Sequence, residues 1–340
     1  MLHSLNLAGS HHEVGLALGR FGAQALHAYS NKSALWHHVM GFRDSEQLAA
    51  MQRAVMSEQP KHWLELEGLA QGLEMPLSDV FAWQCRGDLM ASTHDGCTTI
   101  ARPWPEPLIA HNEDGDPLFA GQCAIAQIKT DDELAFTAFV YPGSLPGHTF
   151  AVNAAGLCLT VNNLRPKHVG IGLPRMLLAR ALVTQPSIDR ALDYLDAARR
   201  SGAFHFTLAQ AGDARLLSIE FTSTHCSVVD VQETTGHTNH MTHRDLAQLP
   251  QIVTDSSYWR EQQLLACLAK QPTIEPMTIL FDTEHPQLPI FRQQPDDPDG
   301  ENTLASARFE IRQSQVHWQV YDPRSRDVDS RWVNERAASA

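Results

Sequence analysis

In the stretch from His11 to Tyr29, Val14, Leu18, Phe21 and Ala25 recur at three- and four-residue steps, the single apolar face of a helix. The same period runs through residues 44–73, where Pro60 predicts a break. Ser78, in PLSDVFAWQCRG, is the expected N-cap of a further short helix, so the first ninety or so residues read as helical. From Cys97 the period changes to strands. CTTIAR (97–102) and LIAHNE (108–113) flank the proline-rich PWPEP and predict a hairpin. CAIAQIKT, LAFTAFVYPG, HTFAVNAAG and LCLTVNNL continue as short strands, with a turn at 153–156. Two helices follow, in LPRMLLARALV and SIDRALDYLDAARRS, the second capped by Ser187. Strands resume from Phe204 with a turn at Gly212-Asp213, a helix covers SSYWREQQLLACLAK, and TLASARFEIR with VHWQVYD form a last pair. The acidic run 295–302, PDDPDGEN, reads as a solvated loop. Strand runs interrupted by helix pairs, without a regular βαβ alternation, predict an α+β fold in one domain over 1–340.

Composition narrows the class. The 340 residues are 43% hydrophobic and 19% charged, a globular balance, and the net charge of −13 argues against a general binder of nucleic acid or anionic membrane. The first residues lack a basic segment leading into a sustained apolar one, and no apolar run reaches membrane-spanning length. The six cysteines are scattered and form no CxxC pair, which reads as free thiols in a reducing compartment. The expectation is a soluble, cytoplasmic protein.

One cysteine stands apart. Cys97 follows Gly96 in a small polar run with two threonines behind it. A thiol that attacks an amide must lose its proton to a nearby base. Were the Gly96–Cys97 bond cut, Cys97 would carry its own α-amine, whose unperturbed pKa of about 7.7–8.0 suits that task. A preceding glycine leaves the carbonyl open to attack and permits unusual backbone angles. Most cysteines are packed core residues, so this spacing alone decides nothing.

DGCTT at 95–99 and HNED at 111–114 together resemble the acyl-coenzyme A:isopenicillin N acyltransferase family of cysteine N-terminal-nucleophile (Ntn) hydrolases. GSHHEVGLALG, LEGLAQGL, FAVNAAGLCLTVNNL, GHTNHM and NTLASARFE are similar to further segments of that family, in the same order along the chain. The resemblance implies a four-layer αββα sandwich, made as a precursor that cuts itself before a cysteine. Residues 1–96 would become a helical small chain and 97–340 the catalytic chain, the two staying associated as a heterodimer. Cys97 would be the nucleophile and Asp114 would orient its freed amine. Asn239 would donate to the oxyanion, with Asn162 as a second candidate for that role. Thr99 would contact substrate or assist self-cleavage, or serve as a core-edge residue. Glu113 departs from the family, which usually has an aromatic residue there. The reaction would be hydrolysis of a small linear amide through an acyl-thioester. The alternative is acyl transfer from a coenzyme A thioester to an amine, with that thioester as co-substrate and no other cofactor. A third reading is a non-catalytic relative that kept the fold.

No metal is expected. His237, His240 and His243 recur every three residues, but neither HExxH nor a cysteine-rich ligand set is present, and NEDGDP fails as a calcium loop. His11-His12, His37-His38, Arg165 and Arg308 read as surface or structural positions.

Overall fold

The computed structural model describes residues 2–90, 96–294 and 296–335. Asp95 of the DGCTT run and Pro295 of the acidic run lie outside the described residues.

The amino-terminal part is a strand, β1 (His3–Gly9), followed by helices α1 (His11–Ser30), α2 (Ala34–Met40), α3 (Glu46–Glu58), α4 (Pro60–Leu73), α5 (Leu77–Gln84) and α6 (Arg86–Leu89). Ser10 and Glu13 close α1 with a reciprocal capping box, the Glu13 carboxylate accepting from the Ser10 N–H at 2.8 Å. Pro60 begins α4, where its missing N–H costs nothing. The expected cap at Ser78 is displaced: Ser78 lies inside α5, which starts after Pro76. Helices α1 and α4 cross with their backbones almost in contact, since a Cβ on Gly15 would strike the Glu65 carbonyl and one on Gly68 that of His12.

Next come the hairpin β2 (Cys97–Arg102) and β3 (Leu108–Gly115), then β4 (Ala124–Thr130), β5 (Phe136–Val140), β6 (Phe150–Asn153) and β7 (Leu157–Asn163). Helices α7 (Arg175–Leu182) and α8 (Ile188–Ala197) intervene, the second capped by Ser187 as expected. The chain continues with β8 (Phe204–Gln210), β9 (Leu216–Phe221), β10 (Cys226–Asp230) and β11 (Thr235–His237). It ends with α9 (Asp255–Lys270), α10 (Pro276–Leu280), β12 (Asn302–Ile311), β13 (Gln315–Tyr321) and β14 (Val328–Glu335).

The strands form two sheets, β1-β4-β5-β6-β7-β8-β9-β10 and β11-β2-β3-β12-β13-β14. Only the β1–β4 pairing among these is parallel. The sheets pack face to face: Phe150 of the first meets Phe309 and Trp318 of the second at ring-centroid distances of 5.8 and 6.3 Å. All three are fully or almost fully buried, each contributing about 1.5–3 kcal/mol relative to exposure. The amino-terminal helices with α7 and α8 cover the first sheet's outer face, and α9 and α10 cover the second's, through Leu264, Met277 and Leu280 against Ile100, Leu108 and Ala110. The result is the expected α+β, four-layer αββα arrangement. Among the described residues no helix is long and apolar enough to cross a membrane.

The acidic run is not merely a solvated loop. Asp297 and Glu301 both pair with the fully buried guanidinium of Arg292 and tie the loop to the core.

Candidate active site

Strand alternation sorts the site into two faces. On β2, Thr98 and Ile100 point toward α9 and α10, while Cys97, Thr99 and Ala101 point between the sheets. On β3, Asn112 joins the helical side through its bond to the Leu280 carbonyl, and Asp114 lies under the influence of Arg260 and Arg292. His111 and Glu113 share the inter-sheet side with Cys97, and the hairpin register sets Cys97 opposite Glu113.

The Gly96–Cys97 bond is gripped from both ends. The Gly96 carbonyl accepts from the Asp114 N–H at 2.9 Å, and the Cys97 N–H donates to Asn239 Oδ1 at 3.0 Å. From α9, Arg260 donates to the Cys97 carbonyl at 2.7 Å, to Thr98 Oγ1 at 2.9 Å and to Asn239 Oδ1 at 2.7 Å. Asn239 is further fixed by its Nδ2, which donates to the Asn163 carbonyl, and by its N–H on Ser257 Oγ. Cys97 is 4% exposed, its Sγ is 3.7 Å from Glu113 Oε2, and the cavity it lines holds about 20 Å³, room for one water. A larger cavity of about 400 Å³ between the sheets is lined by Thr99, His205, Ser218, His237 and His243, and by residues of the β10–β11 connection.

The glycine before Cys97 has a steric reason: a Cβ there would collide with the Glu301 carboxylate.

The anticipated residues are brought together with altered contacts. The Asp114 carboxylate accepts from Thr303 Oγ1 at 2.7 Å and has no hydrogen bond from the Cys97 nitrogen; only its main chain touches the bond. Burial raises its pKa against the pull of Arg292 and Arg260. The Asn239 amide nitrogen is committed to Asn163, so in the uncut chain its oxygen, not its nitrogen, faces Cys97. Asn162 does not reach Cys97: its Oδ1 accepts from Thr99 Oγ1 at 2.7 Å, and its Nδ2 donates to the His237 carbonyl at 3.2 Å. Thr99 does share Cys97's face and bridges His111 and Asn162.

Three histidines that tempted a metal reading take separate partners: His237 pairs with Glu220, His240 with Glu261, and His243 with Ser218 and Ser227. Among the described residues, the clusters that do converge are His11, His62 and Glu133, where Arg180 supplies the cation, and Cys97, His111 and Glu113. Arg165 is buried, not surface, and donates to the Asn239 carbonyl. Arg308 stays apart, paired with Glu275 and Glu310.

Sequence reasoning missed Arg260. It occupies the position four residues before Leu264 in the buried stripe Ser256, Arg260, Leu264, Leu268, and a cation on an apolar stripe was the available signal. Thr303 and Ser257, which hold Asp114 and Asn239, had none.

Among solved structures, the chain is similar to a mutant of conjugated bile acid hydrolase from Clostridium perfringens, at a TM-score of 0.43 and 10% identity, covering 72% of this chain and 97% of that one. Over 213 residues the chain is 27% identical to the beta-alanyl-dopamine/carcinine hydrolase of Drosophila melanogaster, in a match covering 55% of each protein. The chain thus spans about half the length of that relative. Residues 104–325, more than half of the chain, match the family model described as acyl-coenzyme A:6-aminopenicillanic acid acyl-transferase. Asp114, Asn162, Asn239 and Arg260 fall inside that segment and Cys97 just before it; the chain belongs to this family.

Proposed function

We propose that the protein is an amide hydrolase that activates itself by cutting the Gly96–Cys97 bond and then uses Cys97 as an N-terminal nucleophile. One observation carries the reading: the peptide bond before a buried cysteine is polarised at its carbonyl by the Asp114 N–H and held at its nitrogen by Asn239, with Arg260 beside both. In self-cleavage the Cys97 sulfur attacks the Gly96 carbonyl carbon. The C–N bond breaks as a C–S bond forms, and the thiol proton ends on the Cys97 nitrogen. Water then hydrolyses the thioester, releasing the Gly96 carboxylate and the thiol.

The freed amine takes the thiol proton when a substrate amide is attacked and returns it to the leaving amine. Asn239 Oδ1, already an acceptor for that nitrogen, would aim its lone pair at the sulfur. Arg260 would stabilise negative charge at the reaction centre, and Asp114, oriented by Thr303, would hold the ammonium form. Serving as the oxyanion donor requires the Asn239 amide to leave Asn163. The name of the Drosophila relative supports a small amide substrate such as a β-alanyl amine. The family's name supports the second reading, acyl transfer from a coenzyme A thioester, which differs only in what attacks the acyl-enzyme. No cofactor enters either cycle. The two halves stay associated, and the free thiols fit a cytoplasmic setting.

Intact mass and amino-terminal sequencing of the protein beside a Cys97→Ala variant test the proposal. The expected result is two fragments, the second beginning at Cys97, and an uncut variant. A single uncut chain in both removes the proposed base and overturns the reading.

A further inference from the structure

Glu113 stands closer to the nucleophile than any other carboxylate whose contact with it the structure records, at 3.7 Å from Sγ. An ionised carboxylate there would raise the thiol's pKa and oppose thiolate formation. The hydrogen bonds around it specify another state.

The chain of donors and acceptors begins at the His237 carbonyl, which needs a donor and takes Asn162 Nδ2. Asn162 Oδ1 therefore faces Thr99 Oγ1 at 2.7 Å and His205 Nδ1 at 3.1 Å, and both must donate to it. With its only proton committed to Asn162, the Thr99 hydroxyl accepts from His111 Nδ1 at 2.8 Å. Burial pushes the His111 pKa down to about 3, so the ring is neutral and carries one proton, on Nδ1. Its Nε2 is then an acceptor, and the atom facing it, at 3.2 Å, is Glu113 Oε2. The proton between them has to come from the carboxyl group. The other carboxyl oxygen, Oε1, accepts from the Tyr141 hydroxyl at 2.9 Å, as the carbonyl oxygen of a neutral acid should.

We propose that Glu113 is a neutral carboxylic acid, protonated on Oε2 and held so by His111, and that it positions the Cys97 thiol without placing a negative charge beside it. The placement of the proton rests on the hydrogen-bond geometry together with the burial that keeps the His111 ring neutral; its use rests on the reading of Cys97 as nucleophile. Other groups face the same space. His148, Arg86 from α6 and Arg175 from α7 line the small cavity with Glu113, Cys123 lies near it, and Asp114 adjoins it on the strand. Two of these are cations that favour the ionised form. Arg86 donates to the Trp83 carbonyl and Met176 sulfur, and Arg175 to Asn163 and the Leu164 and Ala203 carbonyls.

Glutamine reproduces a neutral glutamate here, its amide nitrogen donating to His111 and its oxygen accepting from Tyr141. The test is the rate of Cys97 alkylation by iodoacetamide against pH, resolved by peptide mass spectrometry from the exposed Cys226, together with self-cleavage. Glu113→Gln should stay within about threefold of the wild type with an unshifted pH profile, and Glu113→Ala should be slower by about tenfold or more. His111→Phe removes the acceptor and lets Glu113 ionise, so its alkylation profile should move to higher pH. The double variant His111→Phe, Glu113→Gln should move back. Loss of reactivity in Glu113→Gln equal to that in Glu113→Ala, or no recovery in the double variant, overturns the proposal. Should the variants fold poorly, nitrogen NMR of the wild-type imidazoles decides: the His111 ring must be neutral with its proton on Nδ1, and a proton on Nε2 refutes it.

Discussion

Arg180 and Arg260 are both buried cations, and their surroundings differ in kind. Arg180, on α7, forms ion pairs with Glu65 of α4 at 2.8 Å and Glu133 at 3.1 Å, with His11 and His62 completing the cluster. Arg260 makes no ion pair among the described residues. It directs its protons to a carbonyl, a hydroxyl and an amide oxygen around Cys97. The first charge is neutralised where it stands, and it fastens the helical layer to the first sheet. The second is held by dipoles, so its field remains available to an anion arriving beside Cys97.

Replacing each arginine by methionine separates the two most widely. Arg180→Met leaves two carboxylates buried without their cation and should cost about 3–5 kcal/mol in denaturant unfolding. The folded fraction should still process itself and turn over substrate. Arg260→Met strands no ion-pair partner but leaves buried acceptors short of a donor, so its stability cost should be smaller, about 1–3 kcal/mol. Self-cleavage and amide hydrolysis should fall by about 10²–10³, the scale of losing one oxyanion-type donor. Equal stability losses in both variants, with activity intact in both, would erase the distinction.

Acid sharpens the comparison through opposite signs. In the Arg180 cluster, burial opposes ionisation but the guanidinium and the histidines outweigh it, and Glu65 and Glu133 are each lowered from 4.5 to about 2. Their stabilisation is complete above the ordinary value near 4.5 and is lost as the pH falls through it toward about 2. Around Arg260 and Arg292, burial dominates and raises Asp114 and Glu301 above the usual carboxylate range. Those groups bind protons more tightly folded than unfolded. Their contribution is present below the unfolded value and declines as the pH rises through the folded one. Unfolding midpoints measured from about pH 7 down to about pH 3 should therefore fall more steeply in Asp114→Asn than in the wild type, and less steeply in Glu65→Gln.

Gly96→Ala should act on processing more than on stability. Its methyl must displace the Glu301 carboxylate, which is bound to Arg292. The shift moves the carbonyl held by the Asp114 N–H, and a displacement of about 1 Å at a reacting centre costs about 10²-fold. Mass spectrometry of freshly folded protein should show the uncut chain persisting.

The difference between the two arginines also explains what could be read in advance. The β2–β3 hairpin, the Ser187 cap and the Pro60 break are local, written in periodicity and in residues with one preferred use. β1 was hidden because its partner is β4, more than a hundred residues away, and its own alternation amounts to Leu5 and Leu7. In the site, Cys97, Asp114 and Asn239 were legible through a family resemblance that names residue types in order. Their contacts were not. That the Asp114 carboxylate leaves the inter-sheet side to Glu113 and bonds Thr303 follows from strand alternation and hairpin register together, which become firm only once the hairpin is placed. Arg260 reaches the site from a helix 163 residues beyond Cys97 in sequence, and no local pattern reports such a contact.

The finest distinction concerns Thr303. Its hydroxyl accepts from the Arg292 main-chain N–H at 3.0 Å and donates to Asp114 Oδ1 at 2.7 Å, tying the backbone that carries Arg292 to the Asp114 carboxylate. Thr303→Val keeps the shape and removes both bonds. The other Asp114 oxygen already lacks a partner among the described residues, so the carboxylate loses its one anchor. The stability cost should be about 1–3 kcal/mol, that of an unsatisfied buried group. The Asp114 pKa should rise further, because a bond favouring the ionised form is gone. On the proposed mechanism the neutral Asp114 can no longer hold the ammonium of Cys97. The acid limb of kcat/KM should move to higher pH in Thr303→Val, while the plateau at higher pH falls only a few-fold. A uniform loss at every pH would assign Thr303 to packing and leave Asp114 oriented by the backbone alone.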